Sequence, residues 1–489
     1  MTKSFVSFRS FLTEEHNEKH VEWPQGKRIL IIGYGSVGQA ILPMIMKHLT
    51  SDGSLITVLE KGENEKIFKK RNVGNGVTYV KHEVVRKNLK ATLEQHVGHG
   101  GYIVDCSLNI GAYEIMEWAL KNDCNYINTS LERWADQQDE TIPDKSERTL
   151  FHTHSVMRKL REKYPNGPTI TVTHGANPGL VTHLTKRALL EIRRHKDNTA
   201  HEIPETREEW AQLMKSLGIK VIHVAERDTQ LINVPKKPNE FVNTWSPEGF
   251  WAEGRAPAEM GWGTHEKKHP VNGRSQGNAA YLNEPGLSVL MKSWVPSGPY
   301  NGFCVQHSEA VTISDYFTTK DGKFRPSVYY VYQPSDAAVA SVHELRGREL
   351  DMQTTQRVVK DEIVSGVDEL GVLLLGEKFG MWHGSQLGID EARRLIPGES
   401  ATSIQVVASM LGAMVWALEN PNRGYVEPEE IDFKEVLKYA DPYLGPIPYV
   451  WTEWNLTKTR IHYSTVSLMP QILYHLRISE SGLDINFIL

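Results

Sequence analysis

Three groups of residues in this chain have the types and spacing that chemistry needs. The first is Gly33-x-Gly35-x-x-Gly38, with Ser36 and Val37 inside it. Gly33 suits a tight turn, Gly35 lets the backbone approach a pyrophosphate, and Gly38 lets a helix pack close on a strand. The amides of Ser36, Val37 and Gly38 would then meet phosphates at the positive end of that helix. Glu60 follows 22 residues beyond Gly38, where an acid binds the ribose 2′-hydroxyl. Its charge repels a 2′-phosphate, which favours NAD over NADP, and Lys61 beside it weakens the preference. The second group is Thr173-His-Gly-Ala-Asn-Pro-Gly179, in which Asn177 offers a donor and an acceptor to a nicotinamide or an amine. It reads equally well as a turn asparagine before proline. The third group is dense in acids and rings. Glu226, Arg227 and Asp228 are expected to cluster at a strand end. Beyond them, Trp245, Phe250, Glu253 and Glu259 interleave aromatic residues with carboxylates. That mixture suits an organic cation, since a ring face over an ammonium contributes roughly 0.5–2 kcal/mol. The competing readings are a surface ion-pair cluster and core tryptophans beside solvated acids.

The elements that must position these groups read as an α/β chain. The run 29–32 is apolar and β-branched, as a buried parallel strand is. Further strands are expected at 55–59, 77–80, 102–107, 125–130 and 169–174, with helices at 37–45, 87–96, 112–121, 150–163 and 181–194 between or after them. This alternation predicts a Rossmann-type doubly wound parallel sheet over residues 27–200. Ligand groups then belong at strand carboxyl ends, which selects Ser107, Asn109, Thr129, Ser130, Glu132 and Asn177. Residues 1–26 read as an N-terminal extension. From 201 to 345, Trp, Pro and Gly become more frequent and the alternation fades. Runs 220–224, 305–314 and 327–332 read as strands of a mixed sheet, so a second, α+β, substrate-covering domain is expected there. Residues 346–489 carry a strand at 369–376 and a long apolar helix at 403–419. This part is expected to return to the first domain.

Composition narrows the function classes. At 489 residues the chain can bury a large core, and 40% hydrophobic with 24% charged residues is ordinary for a globular protein. The net charge of −5 gives no reason to expect nucleic-acid or anionic-membrane binding. The three cysteines, Cys106, Cys124 and Cys304, form no CxxC pair, which argues against a disulfide framework and suits a reducing cytoplasm. Residues 1–26 lack an apolar signal stretch, and the longest apolar run, 408–418, is too short to span a bilayer. No metal is expected, because no histidine pair matches HExxH or a Cys/His cluster. No GxSxG or P-loop is present, against a serine hydrolase or a kinase.

Several blocks taken together, IIGYGSVG, THGANPG, HVAERDTQ, VNTWSPEGF, GWGTHE, VDELGVLLLG and MVWALENP, resemble the bacterial homospermidine synthases, whose N-terminal half is like saccharopine dehydrogenase. The resemblance runs from about residue 28 to at least 450. It implies a reaction in which two putrescines condense to homospermidine with release of ammonia, using tightly held NAD+ without net consumption. It also implies a homodimer. Carried over by position, Glu226 matches a carboxylate that binds substrate ammonium groups. Trp245 matches the indole that stabilises the cationic intermediate, and Glu253 matches another acid of the amine site. Asn177 and Glu132 match residues at the nicotinamide end. His307 falls in a stretch that matches the family. Asn109 stands where family members can carry an acid, which weakens the expected grip on one amine.

Two rival readings follow from the same residues. A saccharopine- or carboxyspermidine-type dehydrogenase, with net NAD(P)H turnover, would need an arginine fork for a carboxylate, and Arg227 or Arg255 are the candidates. A non-catalytic NAD sensor would bind the nucleotide and form no polyamine.

Overall fold

The structure is a computed structural model that describes residues 22–72, 74–137, 142–197, 202–267 and 272–456. The first βα unit follows from local sequence. Strand β1 (Ile29–Ile32) is buried on both faces, and helix α1 (Ser36–His48) turns its apolar positions Ile41, Leu42 and Ile45 inward. Next come β2 (Ile56–Glu60), β3 (Thr78–Lys81), β4 (Tyr102–Asp105), β5 (Asn125–Asn128) and β6 (Ile170–Thr171). With Tyr425–Val426 they form one seven-stranded parallel sheet, ordered Tyr425–Val426, β6, β5, β4, β1, β2, β3. The order changes direction at β1, so a crevice opens at the carboxyl ends of β1 and β4, as in Rossmann-type folds. The register Ile32↔Leu59 and Ile32↔Asp105 brings these ends level.

The second sheet has ten strands and is mixed. Its central strand β7 (Val221–Asp228) pairs in parallel with Ser327–Gln333 and antiparallel with Val367–Leu375. Period-two alternation decides what each face does. Val224, Tyr330, Tyr332, Leu370 and Val372 point into the core shared with β1 and α1. Ala225, Val331 and Leu373 point to the other side, under the hairpin of Leu290–Val295 and Gly298–Phe303. Glu226 and Asp228 therefore share the face turned toward the nucleotide sheet. Arg227 lies opposite and donates to the Ser297 hydroxyl at 3.1 Å. The expected cluster of three charges at a strand end is thus split by the pleat.

The run 305–314 also departs from expectation, since Ser308–Tyr316 is a helix. The β-branched Val311, Thr312 and Ile313 favour a strand locally, but tertiary packing under Pro257–Gly261 and Ser327–Gln333 outweighs that preference. Helix Ala401–Glu419 begins two residues before the expected 403–419 and contains the 408–418 run. It is long and apolar enough to cross a membrane, yet 89% of its most apolar stretch is buried within the fold. It packs on α1, β5, β6 and the second sheet. The expected extension lies outside the described residues up to position 21.

Candidate active site

The glycine turn has the shape its sequence calls for. Gly33 has φ +93°, and a Cβ there would stand 2.7 Å from the Cys106 carbonyl oxygen. A Cβ on Gly38 would meet the Gly33 oxygen at 2.2 Å. At Gly35 a Cβ would find nothing within 4 Å, so open space lies over the turn. Helix α1 has no side-chain cap and no acid in its first turn, so Ser36 and Val37 stand at an uncapped helix start. Glu60 is anchored by the amides of Tyr34 and Gly62, each donating at 2.5 Å. An open cradle, an uncapped helix and a buried acid at the end of β2 together fit a dinucleotide.

Along the same sheet edge, the Ser107 hydroxyl donates to Asp105 at 2.5 Å, and the Tyr126 hydroxyl holds the other Asp105 oxygen at 2.8 Å. Thr129 and Ser130 follow the end of β5, and Ser130 donates to Glu132 at 2.9 Å. Asn109, at φ +64°, donates its amide to Glu132 at 3.1 Å and its side-chain amide to Glu248 at 2.8 Å. That second bond ties the nucleotide domain to helix Pro247–Arg255, which carries Glu253. Burial pushes Glu132 up to about 7, with Asp105 and Glu253 adding to the shift.

Across the crevice, Glu226 is 2% exposed and accepts hydrogen bonds from Asn177 Nδ2 at 2.9 Å and the Tyr330 hydroxyl at 2.8 Å. Asn177 is presented by a tight loop that needs Gly179, whose φ is +114° and whose Cβ would stand 2.5 Å from the Gly175 oxygen. Burial drives Glu226 up to about 7. Asp228 and Asp368, paired in register on adjacent strands, are also raised, first by burial. Charging these acids is costly without a cation.

The remaining candidates join through two tyrosines. Trp245 donates its indole N–H to the Tyr332 hydroxyl at 3.0 Å. Tyr332 stacks on Tyr330 with ring centroids 5.5 Å apart, and the His307 ring lies 4.2 Å from that of Tyr330. His307 Nε2 is 3.4 Å from Glu253, and its Nδ1 is 3.0 Å from Glu309. Burial alone would lower the His307 pKa, but Glu309 and Glu253 outweigh it and hold the imidazole well above its ordinary range. Asn109, Glu132, Asn177, Glu226, Trp245, Glu253 and His307 thus lie in one connected region.

Sequence reasoning overlooked Tyr330, Tyr332, Glu248, Glu309 and Asp368. The alternation in Ser327–Gln333 carried a signal, since Tyr330 and Tyr332 are two residues apart and share a face. Glu309 stands two residues from His307. Among the described residues, no group of three or more His, Cys, Asp or Glu is placed to hold a metal.

Comparison with known proteins gives this geometry a family. A model described as the saccharopine dehydrogenase NADP binding domain matches residues 29–171, and one described as the saccharopine dehydrogenase C-terminal domain matches residues 175–448. Homospermidine synthase from Mesorhizobium japonicum is 40% identical over 443 residues, covering 87% of this chain and 90% of the relative. The chain belongs to the homospermidine synthase family. Homospermidine synthase from Blastochloris viridis is 39% identical over 451 residues, 89% of this chain and 94% of its own. The crystal structure of homospermidine synthase from Legionella pneumophila in complex with NAD superposes with a TM-score of 0.83 at 36% identity, covering 91% of this chain and 95% of that one. The first family description names NADP, whereas the Legionella structure holds NAD. Glu60 sides with the latter, since a carboxylate at that place repels a 2′-phosphate. The cofactor is NAD.

Proposed function

We propose that this chain joins two putrescines into homospermidine, releasing one ammonia and leaving NAD+ unconsumed. One observation carries the reading: Glu226 is a buried carboxylate whose two hydrogen-bond donors, Asn177 and Tyr330, are both neutral. Among the described residues no cation is bonded to this carboxylate, and a diamine supplies one. Bound NAD supplies a hydride acceptor for the amine-bearing carbon and returns the hydride to the new imine.

The chain's own residues do the rest. Glu226 holds an ammonium. Trp245, its N–H pinned by Tyr332, keeps its ring in a fixed orientation for a passing iminium. An ammonium carbon cannot lose hydride, so the reacting nitrogen must first give up a proton. With the His307 imidazole already held charged, a carboxylate of the row Glu253–His307–Glu309 takes the proton. Glu132 and Asn177 flank the crevice where the nicotinamide end is expected. Ammonia departs when water or the second diamine attacks the imine carbon. A closed pocket keeps the reactive imine in place until it is reduced. The same reading carries a homodimer in the cytoplasm, acting on free diamines, with neither nucleic acid nor membrane as partner.

Incubating the protein with putrescine and NAD+ tests this. Homospermidine and ammonia are expected in equal amounts, with no build-up of NADH absorbance. Steady NADH accumulation without a triamine would favour the dehydrogenase reading. The structure gives that reading little support, because Arg227 faces away from Glu226 and Arg255 lies over the Trp251 ring.

A further inference from the structure

Asn177 and His307 stand just ahead of two helices, Leu180–Lys196 and Ser308–Tyr316. Five residues on from each comes a threonine, Thr182 and Thr312. Both hydroxyls donate to the same atom, Glu429 Oε1, and each does so at 2.9 Å. Glu429 is 1% exposed and sits in the turn Pro428–Glu430, directly after Tyr425–Val426, the outermost strand of the nucleotide sheet. Lys186, one turn beyond Thr182, donates to the Glu429 carbonyl at 2.6 Å. The first helix is held elsewhere by a buried contact between His174 and His183, 2.9 Å apart. Among the described residues, Thr312 is the first position of the second helix whose side chain bonds outside the amine pocket, followed by Ser314 and Asp315. The Nδ1 partner of His307, Glu309, and its ring partner, Tyr330, belong to the amine pocket itself.

We infer that Glu429 is a positioning residue: by gripping Thr182 and Thr312 together it sets the distance between Asn177 and His307, and so the width of the amine pocket around Glu226. The inference rests on the reading of that pocket as a diamine site. Glu429 touches neither the glycine turn nor Glu60, so it should act on diamine binding and leave NAD binding alone. The grip needs only an acceptor oxygen, so a glutamine can replace the glutamate and a leucine cannot. Burial pushes Glu429 up to about 7, in keeping with a role that does not depend on its charge.

The test uses the full NAD-loaded protein and putrescine, read by calorimetry and by turnover. Glu429→Leu loses two hydrogen bonds, so the Kd and KM for putrescine should rise about tenfold. The Kd for NAD should stay within about twofold, and Glu429→Gln should restore the parent values. The nearly isosteric double variant Thr182→Val/Thr312→Val should reproduce the Glu429→Leu result, and adding Glu429→Leu to it should bring no further loss. This variant also serves where Glu429→Leu fails to fold. Parent-like putrescine affinity in the double threonine variant overturns the inference. So does an equal loss of NAD and putrescine affinity, or a Glu429→Gln that behaves like Glu429→Leu. A crystal structure of the double threonine variant tests the positioning without any substrate. Asn177 Nδ2 should move out of hydrogen-bond range of Glu226, and an unmoved Asn177 overturns the inference even if the parent proves to make no homospermidine.

Discussion

The nucleotide turn and the amine pocket face each other across one crevice and are built on opposite principles. The turn lies in contiguous residues, 33–38, and offers backbone amides and empty space. The pocket draws on side chains from Asn109 to Tyr332, carried by both sheets and several helices. A backbone cradle costs little to bury, because its dipoles are already arranged. A pocket of buried acids is held at a cost until a cation arrives. The two halves should therefore fail differently when broken.

Replacing Glu226 by Gln should have the largest effect. Removing one partner of a buried charge pair costs roughly 2–5 kcal/mol, so kcat/KM for putrescine should fall by about a hundredfold or more. NAD affinity should stay within about twofold, and an equal loss of both would blur the division. Trp245→Leu comes next. A desolvated cation–ring contact is worth about 2 kcal/mol, so kcat should drop about thirtyfold while the protein stays folded and NAD-bound. Turnover like that of the parent would remove Trp245 from the mechanism.

On the other side of the crevice, Gly35→Ala should weaken NAD about tenfold without changing Tm. Its Cβ enters space that no protein atom occupies but a pyrophosphate needs. Gly38→Ala makes the contrast, because its Cβ stands 2.2 Å from the Gly33 oxygen and should lower Tm. A Gly35→Ala protein that binds NAD normally would mean the cradle is used otherwise.

The smallest effect is one of pH. Burial raises Glu226 to about 7 in the folded state, against about 4.5 unfolded. Below about pH 4.5 the group is protonated in both states. Between about pH 4.5 and 7 the unfolded chain is ionised while the folded group stays protonated, and over that window the ligand-free parent loses stability. Glu226→Gln lacks this penalty, so its Tm relative to the parent should be level at about pH 4 and a few degrees higher at about pH 8. A difference that shrinks with rising pH would show that Glu226 is not held up by burial.

The same contrast explains what the sequence made legible. β1, the glycine turn and the α1 pattern are local, and the parallel sheet follows from the alternation they begin. The acids and rings around Glu226, Trp245 and Glu253 raised them as candidates, but their roles came from the family resemblance, because nothing local distinguishes them from a surface cluster. Residues 305–314 read as a strand, yet the helix there holds Glu309 and Thr312, and only packing decides between the two. Tyr330 and Tyr332, which link Glu226 to His307 and Trp245, are plain strand tyrosines until the register Tyr332↔Glu226 is known. Glu429 is one acid among three in 427–430, and only the fold brings two distant threonines onto it.

The central claim is that an amine held by Glu226 and Trp245 is oxidised, joined to a second diamine and reduced again without leaving the pocket. Putrescine deuterated at the carbons beside nitrogen tests it, with unlabelled NADH added in excess. The account predicts homospermidine that keeps every deuterium, because the abstracted deuteride returns to the carbon that lost it. Homospermidine short of one deuterium would contradict it.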